Sequence, residues 1–508
     1  MINKVLLLYP PLTIAKNDYP KNRLPLGLAY IAGVLCKKLP KLEVAILDSV
    51  AEGVENKIEV NGMYQWGLST HDICEQIKKY SPDMIGISSQ FSVQSDVVYK
   101  LCRLIKLIDK NIIIVIGGAH PTANYERMMA HQTIDYIIKG EGEYPFLKLI
   151  KALNRYLPVN DIEGLVYRVN NKVKSNVNLW IKDLDSLPIP AYHLLNMELY
   201  KRSSGERGWI IQSGKPVNMI SSRGCPFNCV FCGIKLVAGK KFRPRSAKNV
   251  LKEIDILVNK YGFNEIHFED DNLTLDYKRA EEIFDGLIKQ YKGKLTWAAP
   301  SGIALWTLDE NLISKMKESG CTSINIAIES GDEFTLKEII KKPLKLKRVK
   351  EIVALLKKYS MHITGFWVIG LPGETRRSIW RTLDYCRSLK LDNNQIAMAL
   401  PYKGTELYNI CKSNNLIKGQ LEDSKITLRN AHIKTKEFSP ELIKILVASD
   451  RFIVVNGKDN YKCIPFRLLE LIKREGWLSC IVLLEVLRHY TLDKIITKPE
   501  KRKVYFTT

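Results

Sequence analysis

Short apolar runs rich in β-branched residues alternate with helical stretches twice along this 508-residue chain, over residues 1–155 and again over 216–415. Strands that are apolar throughout, without in–out alternation, need cover on both faces. Helices between them supply it, which is the pattern of a parallel α/β sheet. In the first stretch the strand candidates are Val5–Tyr9, Val44–Leu47, Met84–Ile87, Ile112–Ile116 and Tyr136–Ile138. Helices are expected over Leu26–Lys37, His71–Tyr80, Val93–Ile108 and Ala123–His131, giving a doubly wound sheet. In the second, Val217–Ser221, Glu265–Phe268, Leu295–Ala298, Ser323–Ile328, Ile363–Ile369 and Gln395–Ala399 make the strands of a partial (β/α)6 TIM-like barrel. Residues 156–215 read as a connector with a small hairpin around Asn170-Asn171 and a proline-punctuated linker at Leu184–Pro190. Residues 416–508 read as a helical C-terminal region.

Ligands of such sheets bind at the carboxyl ends of the strands. In the first stretch those ends carry Pro10-Pro11, Asp48, Ser88-Ser89, Gly117-Gly118-Ala119-His120 and Gly140-Glu141-Gly142-Glu143. The glycines either let backbone approach a bulky ligand or simply make tight turns.

The first strand of the second stretch runs into Ser221-Ser222-Arg223-Gly224-Cys225-Pro226-Phe227-Asn228-Cys229-Val230-Phe231-Cys232. The C-x3-C-x2-C spacing puts three thiols on one loop, with aromatic Phe231 before the last. Three thiolates can hold three irons of a [4Fe-4S] cluster; being one short of the usual four, they leave an iron open to a small molecule. A structural zinc site would close with four ligands, and the next cysteine, Cys321, has no partner spacing. A thioredoxin-like pair would not carry a third cysteine. Cys36, Cys102 and Cys386 sit singly in apolar runs, as small buried hydrophobes do.

The formal net charge is +23, from 77 basic and 54 acidic residues. A basic surface attracts polyanions or an acidic protein partner. Much of the excess lies in stretches such as Lys337–Lys358 that read as solvated helix faces, and no nucleic-acid partner is expected. No run reaches the ~20 apolar residues of a membrane span. Trp477–Leu487 reads as a core helix, with a helix lying on a membrane surface as the alternative. The scattered cysteines, and a start that leads straight into an apolar strand, suit a cytoplasmic setting.

The cysteine loop is followed by Glu269-Asp270-Asp271-Asn272 after the second core strand, Glu329-Ser330-Gly331 after the fourth, Gly370-Leu371-Pro372-Gly373 after the fifth and Met398 to Pro401 after the last. In this order they resemble the radical S-adenosylmethionine (SAM) superfamily. The resemblance implies one [4Fe-4S] cluster on Cys225, Cys229 and Cys232, and SAM contacts from Phe231, Glu269, Asp270, Glu329, Ser330, Gly370 and Met398. Ahead of the core, Pro10-Pro11, Leu24-Pro25-Leu26-Gly27-Leu28, Gly117-Gly118-x-His120 and Gly140-Glu141-Gly142-Glu143 resemble the cobalamin (B12)-binding domain of one large subgroup. That implies a Rossmann or flavodoxin-like fold and cobalamin contacts from Pro10, Ser88, Ser89, Gly117, Gly118, His120, Gly140 and Glu141. The D-x-H-x-x-G motif is absent, since no aspartate stands two residues before His120, so no histidine ligand to cobalt is implied.

The implied activity is C-methylation of an unactivated carbon through a 5′-deoxyadenosyl radical and methylcobalamin. Oxidative cyclisation or rearrangement with the same cofactors is the alternative. A cluster- and corrinoid-binding electron-transfer or sensor protein is the reading of another class. A low-potential donor such as flavodoxin or ferredoxin is implied, with a small-molecule, lipid or peptide substrate. In this subgroup the C-terminal region closes over the substrate. Here that tail carries Phe452, Tyr461, Phe466, Arg467, Trp477 and Tyr490, and peripheral membrane contact is compatible with it.

Overall fold

The computed structural model describes residues 1–15, 23–60, 62–201, 214–421, 430–455 and 458–459. Tyr461, Phe466, Arg467, Trp477 and Tyr490, with the helix expected over Trp477–Leu487, lie outside the described residues.

Along the first part of the chain come β1 (Lys4–Tyr9), β2 (Leu12–Ala15), β3 (Glu43–Asp48), β4 (Lys57–Val60), β5 (Met63–Trp66), β6 (Met84–Ser88), β7 (Ile113–Gly117), β8 (Tyr136–Ile138), β9 (Leu165–Val169) and β10 (Lys172–Ser175). Seven of them form one sheet in the order β10-β9-β8-β7-β6-β1-β3. It is parallel from β3 to β8. Leu7, Leu8, Met84, Ile114 and Ile116 on its central strands are fully buried, as their apolar character requires. The chain steps from β1 outward to β3 and then back across to β6. This is the flavodoxin-like order, and its crevice opens beyond the ends of β1 and β6.

Three features depart from the sequence reading. The hairpin of β9 and β10 turns on Asn170 and Asn171, both left-handed at φ 49° and 60°, as a two-residue hairpin demands. It pairs antiparallel with β8, so it extends the first sheet instead of standing apart in the connector. Second, β2, β5 and β4 form a separate antiparallel sheet. Its mixed, half-exposed residues gave no strand signal. Third, the helix expected from Ala123 begins at Ala119, so His120 lies in a first helical turn and not in a loop.

The second sheet takes β11 (Pro216–Met219) and, after the two-residue strands β12 (Ser222–Arg223) and β13 (Arg243–Pro244), also β14 (Glu265–Phe268), β15 (Thr296–Ile303), β16 (Cys321–Glu329), β17 (His362–Ile369) and β18 (Asn393–Met398). Its order β11-β14-β15-β16-β17-β18 follows the chain and is parallel throughout. The helices Ala247–Asp255, Tyr277–Tyr291, Glu310–Glu318, Leu346–Lys358 and Arg376–Ser388 lie between the strands. Asp276, Asp309 and Thr375 cap three of them by accepting from first-turn backbone amides. This is the arc of a (β/α)6 barrel. β12 and β13 pair antiparallel and close the base of the loop 224–242. The helix Pro440–Ile453 brings Ile443 against Gly370. Among the described residues no helix is long and apolar enough to cross a membrane.

Candidate active site

The cysteine loop leaves the carboxyl end of β11 and is anchored on both sides by backbone. Val230 N donates to Ile340 O, and Leu407 N donates to Val230 O. Gly224, at φ +82°, admits no side chain, because a Cβ would run into the carbonyls of Ala238 and Lys241. Phe227 packs edge-on against Trp306, ring centres 4.8 Å apart. Burial pushes the Cys232 thiol up to about 12, with Cys229 and Cys225 adding to it. Cys229 is raised chiefly by burial, while Lys342 pulls it the other way. Cys229 and Cys232 thus sit in a setting that keeps them protonated until a cation draws off the proton.

Among the described residues no three His, Cys, Asp or Glu side chains stand close enough to share one metal ion. A four-iron cluster takes one iron per thiolate, so its three cysteines need not converge on a single ion. Asn272 Nδ2 lies 3.1 Å from Cys225 Sγ; hydrogen bonds to sulfur are one of the levers on cluster potential. The three residues fit the group.

Around this loop the strand ends behave differently from one another. Glu269, after β14, receives Ser301 Oγ at 2.8 Å and meets Arg23 at 3.0 Å. Arg23 comes from the N-terminal part of the chain, so this pair joins the two sheets' carboxyl edges. Asp270, expected to face SAM, is buried and turned inward. It accepts from Ser221 N at 3.0 Å, from Ser221 Oγ at 2.7 Å and from Ser222 Oγ. Its geometry assigns it to holding the start of the cysteine loop. Asp271 is exposed to solvent. The surrounding protein, and then Asp270, push its pKa up to about 7.

Glu329, at the end of β16, has φ +71°, a conformation that costs a non-glycine residue energy and clusters at functional sites. It pairs with Lys342 at 3.1 Å, and that lysine is largely buried. Lys342 thus corrects the reading of Lys337–Lys358 as a solvated face. Ser330, expected to touch SAM, places its hydroxyl 2.8 Å from Thr382 Oγ1 and accepts from Asp332 N. Gly370 adopts φ +87°, and its bare face meets Ile443, 3.2 Å from where a Cβ would stand. Met398 is buried and Phe231 half-buried beside the core.

The first sheet's edge is less tied. Pro10 is buried at the end of β1, with Ser88 and Ser89 at the end of β6. Ser89 is fully buried, and its Oγ finds no hydrogen-bond partner among the described residues. Gly118, at φ +115°, comes so close to Ser89 that a Cβ would sit 2.6 Å from its carbonyl oxygen. His120 Nδ1 lies 3.1 Å from Ser92 Oγ and 3.2 Å from Asn124 Nδ2. Gly140 N donates to Thr122 Oγ1 at 3.0 Å. An orphaned hydroxyl at the crevice of a doubly wound sheet, beside the tight Ser89–Gly118 backbone contact, fits a large polar-rimmed ligand such as a corrinoid.

Glu141 departs from that set. It is buried, and Arg243 forks onto it with two bonds of 2.8 Å. Arg223 reaches it at 3.2 Å, and Ile181 N donates to it at 2.8 Å. Burial would raise its pKa, but the two arginines outweigh burial and hold it below the usual carboxylate range. Its carboxylate ties the first part of the chain to the arginines of the second.

Residues 219–386 match the Radical SAM superfamily, and residues 17–150 match the B12 binding domain. The chain is 35% identical over 440 residues to cytidylyl-2-hydroxyethylphosphonate methyltransferase of Streptomyces wedmorensis, covering 80% of this chain and 81% of that one. The chain belongs to the radical SAM superfamily, in its B12-binding branch. An uncharacterised methyltransferase of Pyrococcus horikoshii is 35% identical over 450 residues, covering 88% of this chain and 91% of that relative. The cobalamin-dependent SAM radical enzyme OxsB, solved with aqua-cobalamin bound, shares the fold at 18% identity with a TM-score of 0.69, over 97% of this chain and 76% of that one.

Radical SAM membership accounts for the three-cysteine loop at the barrel rim. Arg23, Lys342 and Arg243 were missed in the sequence because none lies in a motif with a recognisable spacing. Only Arg223 stood within one, and nothing local set it apart.

Proposed function

We propose that this chain is a cobalamin-dependent radical SAM methyltransferase acting at an unactivated carbon of a small-molecule substrate. The observation that carries it is the three-thiol loop at the rim of the six-stranded sheet, linked through Glu269 and Arg23 to the crevice edge of the flavodoxin-like sheet. Both relatives at 35% identity are named as methyltransferases, which favours methyl transfer over ring closure.

In this reading Cys225, Cys229 and Cys232 hold the [4Fe-4S] cluster. Glu269, Glu329 and Lys342 meet the charged groups of SAM, with Phe231 and Met398 as apolar walls. Asp270 and Ser330 hold the rim in shape. Pro10, Ser88, Ser89, Gly117, Gly118, His120 and Gly140 line the cobalamin site. Bound together, the cofactors supply one-electron cleavage of a sulfonium and a transferable methyl group. The protein fixes their separation and keeps water out. The corrinoid-binding unit takes in the β9–β10 hairpin, so it runs over residues 1–175, ahead of a core at 216–415 and a cap from 416. An external low-potential donor of the flavodoxin or ferredoxin kind, in a cytoplasmic setting, completes the reading.

Anaerobic reconstitution with iron, sulfide and hydroxocobalamin tests it. The expected result is about four irons per chain, one retained corrinoid, and SAM converted to 5′-deoxyadenosine under a low-potential reductant. Iron without corrinoid would overturn the methyl-transfer route.

A further inference from the structure

The strands β12 and β13 pair Arg223 directly opposite Arg243. Like charges facing one another across an antiparallel pair repel, so this ribbon is unfavourable unless an acid lies over both. That acid is Glu141: Arg243 donates to it twice at 2.8 Å, and Arg223 NH1 donates at 3.2 Å. The second arm of Arg223 reaches Glu143 at 2.6 Å. Two cations thus meet two anions, all four nearly buried. The Arg223 guanidinium also lies over the ring of Tyr30, 5.0 Å from its centre.

Every partner of the Arg223 guanidinium named here comes from the first 150 residues, while Arg223 stands two residues before Cys225. The ribbon that carries it closes the base of the cysteine loop. Trp180 adds a second tie: Gly140 at φ +70° leaves room for the six-membered ring of its indole, and Gly239 at φ +78° for the pyrrole ring. A Cβ on either would come within 2.9 Å of it. Gly140 begins the Gly140-Glu141-Gly142-Glu143 stretch, and Gly239 lies inside the cysteine-bearing loop.

We infer that Arg223 is a positioning residue: with Arg243, Glu141, Glu143 and Trp180 it locks the cysteine loop to the corrinoid-side loop and so fixes the separation of cluster and cobalamin. This rests on the assignment of those two cofactors to those two loops. A guanidinium meets two carboxylates through a rigid planar fork of donors, whereas an ammonium is a point charge on a flexible stem, and a reacting constellation must be held to within about 0.5 Å. Arg223→Lys is therefore not neutral here.

The test uses full-length protein reconstituted with cluster and hydroxocobalamin, then reduced so that both centres are paramagnetic. Dipolar electron paramagnetic resonance reads their separation in the parent, Arg223→Lys, Arg223→Met and Glu143→Gln proteins. The expected result is unchanged iron and corrinoid content with a distance distribution broadened about twofold in Arg223→Met and Glu143→Gln, and less in Arg223→Lys. Loaded variants with the parent's distribution would overturn the inference. A parent protein that takes up only one cofactor would instead overturn the functional reading. Hydrogen exchange on the same proteins without cofactors gives an independent readout, which also serves if Arg223→Met does not fold. Residues 222–243 and 139–145 are expected to lose protection together in Glu143→Gln; loosening of one segment alone would count against the lock.

Discussion

The carboxyl rims of the two sheets face the same space but are built in opposite ways. On the core rim, groups that looked ready for a ligand are spent on one another: Asp270 on Ser221 and Ser222, Ser330 on Thr382, Gly370 on Ile443. On the first rim, the Ser89 hydroxyl lacks a hydrogen-bond partner among the described residues, beside the close backbone contact with Gly118. The core rim is organised in advance to hold a short loop still, whereas the first leaves polar surface for a large ligand to satisfy. Precision is needed most where the cluster loop and SAM must meet.

The largest effect sharpening this contrast is expected at the cysteines. Cys229→Ala should abolish SAM cleavage and leave less than the full complement of iron after reconstitution, with far-ultraviolet circular dichroism unchanged. Retained 5′-deoxyadenosine formation would remove the loop from the chemistry.

Next comes Asp270→Ala. It strips the acceptor from three donors and removes the strongest of the carboxylates that offset the buried Arg279, leaving Asp276 and Asp185. Urea unfolding should show a loss of about 3 kcal/mol or more. A variant of parental stability that fails to bind SAM would return Asp270 to the ligand and break the comparison.

Asp48 offers a pH signature on the first rim. Burial pushes its carboxyl from the usual 3.8 to about 6, although Tyr200 and the amides of Ala51 and Val50 work against the shift. Its folded pKa lies above the unfolded one, so the folded protein binds the proton more tightly. The advantage is full below pH 3.8 and is lost as the pH rises through about 6. Asp48→Asn should flatten the stability profile across that window, the difference reaching about 3 kcal/mol. Equal slopes in parent and variant would show Asp48 ionised at little cost.

The smallest effect is predicted for Ser89→Ala. Deleting a buried hydroxyl without a partner should change stability by less than about 1 kcal/mol or raise it slightly. Corrinoid retention through gel filtration should nevertheless weaken. A marked loss of stability would mean that the hydroxyl is satisfied within the protein.

Much of the architecture was legible because it is local. Val5–Leu8 and Ile112–Ile116 announce themselves as strand segments through uninterrupted apolar residues, and Asp276 and Asp309 lie where helix caps belong. The sheet of β2, β4 and β5 was not legible, because Lys57–Val60 and Met63–Trp66 mix polar and apolar residues on strands that bury little.

By itself, then, the sequence determined the strand–helix alternation of both sheets and the C-x3-C-x2-C loop, since both are properties of neighbouring residues. Which way each carboxylate turns was decided by the tertiary structure. Glu141 reads as a ligand-site residue until Arg243, 102 positions away, closes on it, and Asp270 does so until Ser221 arrives from 49 positions back. A buried charge goes to whichever partner the fold brings within hydrogen-bonding distance, and no local period encodes that meeting.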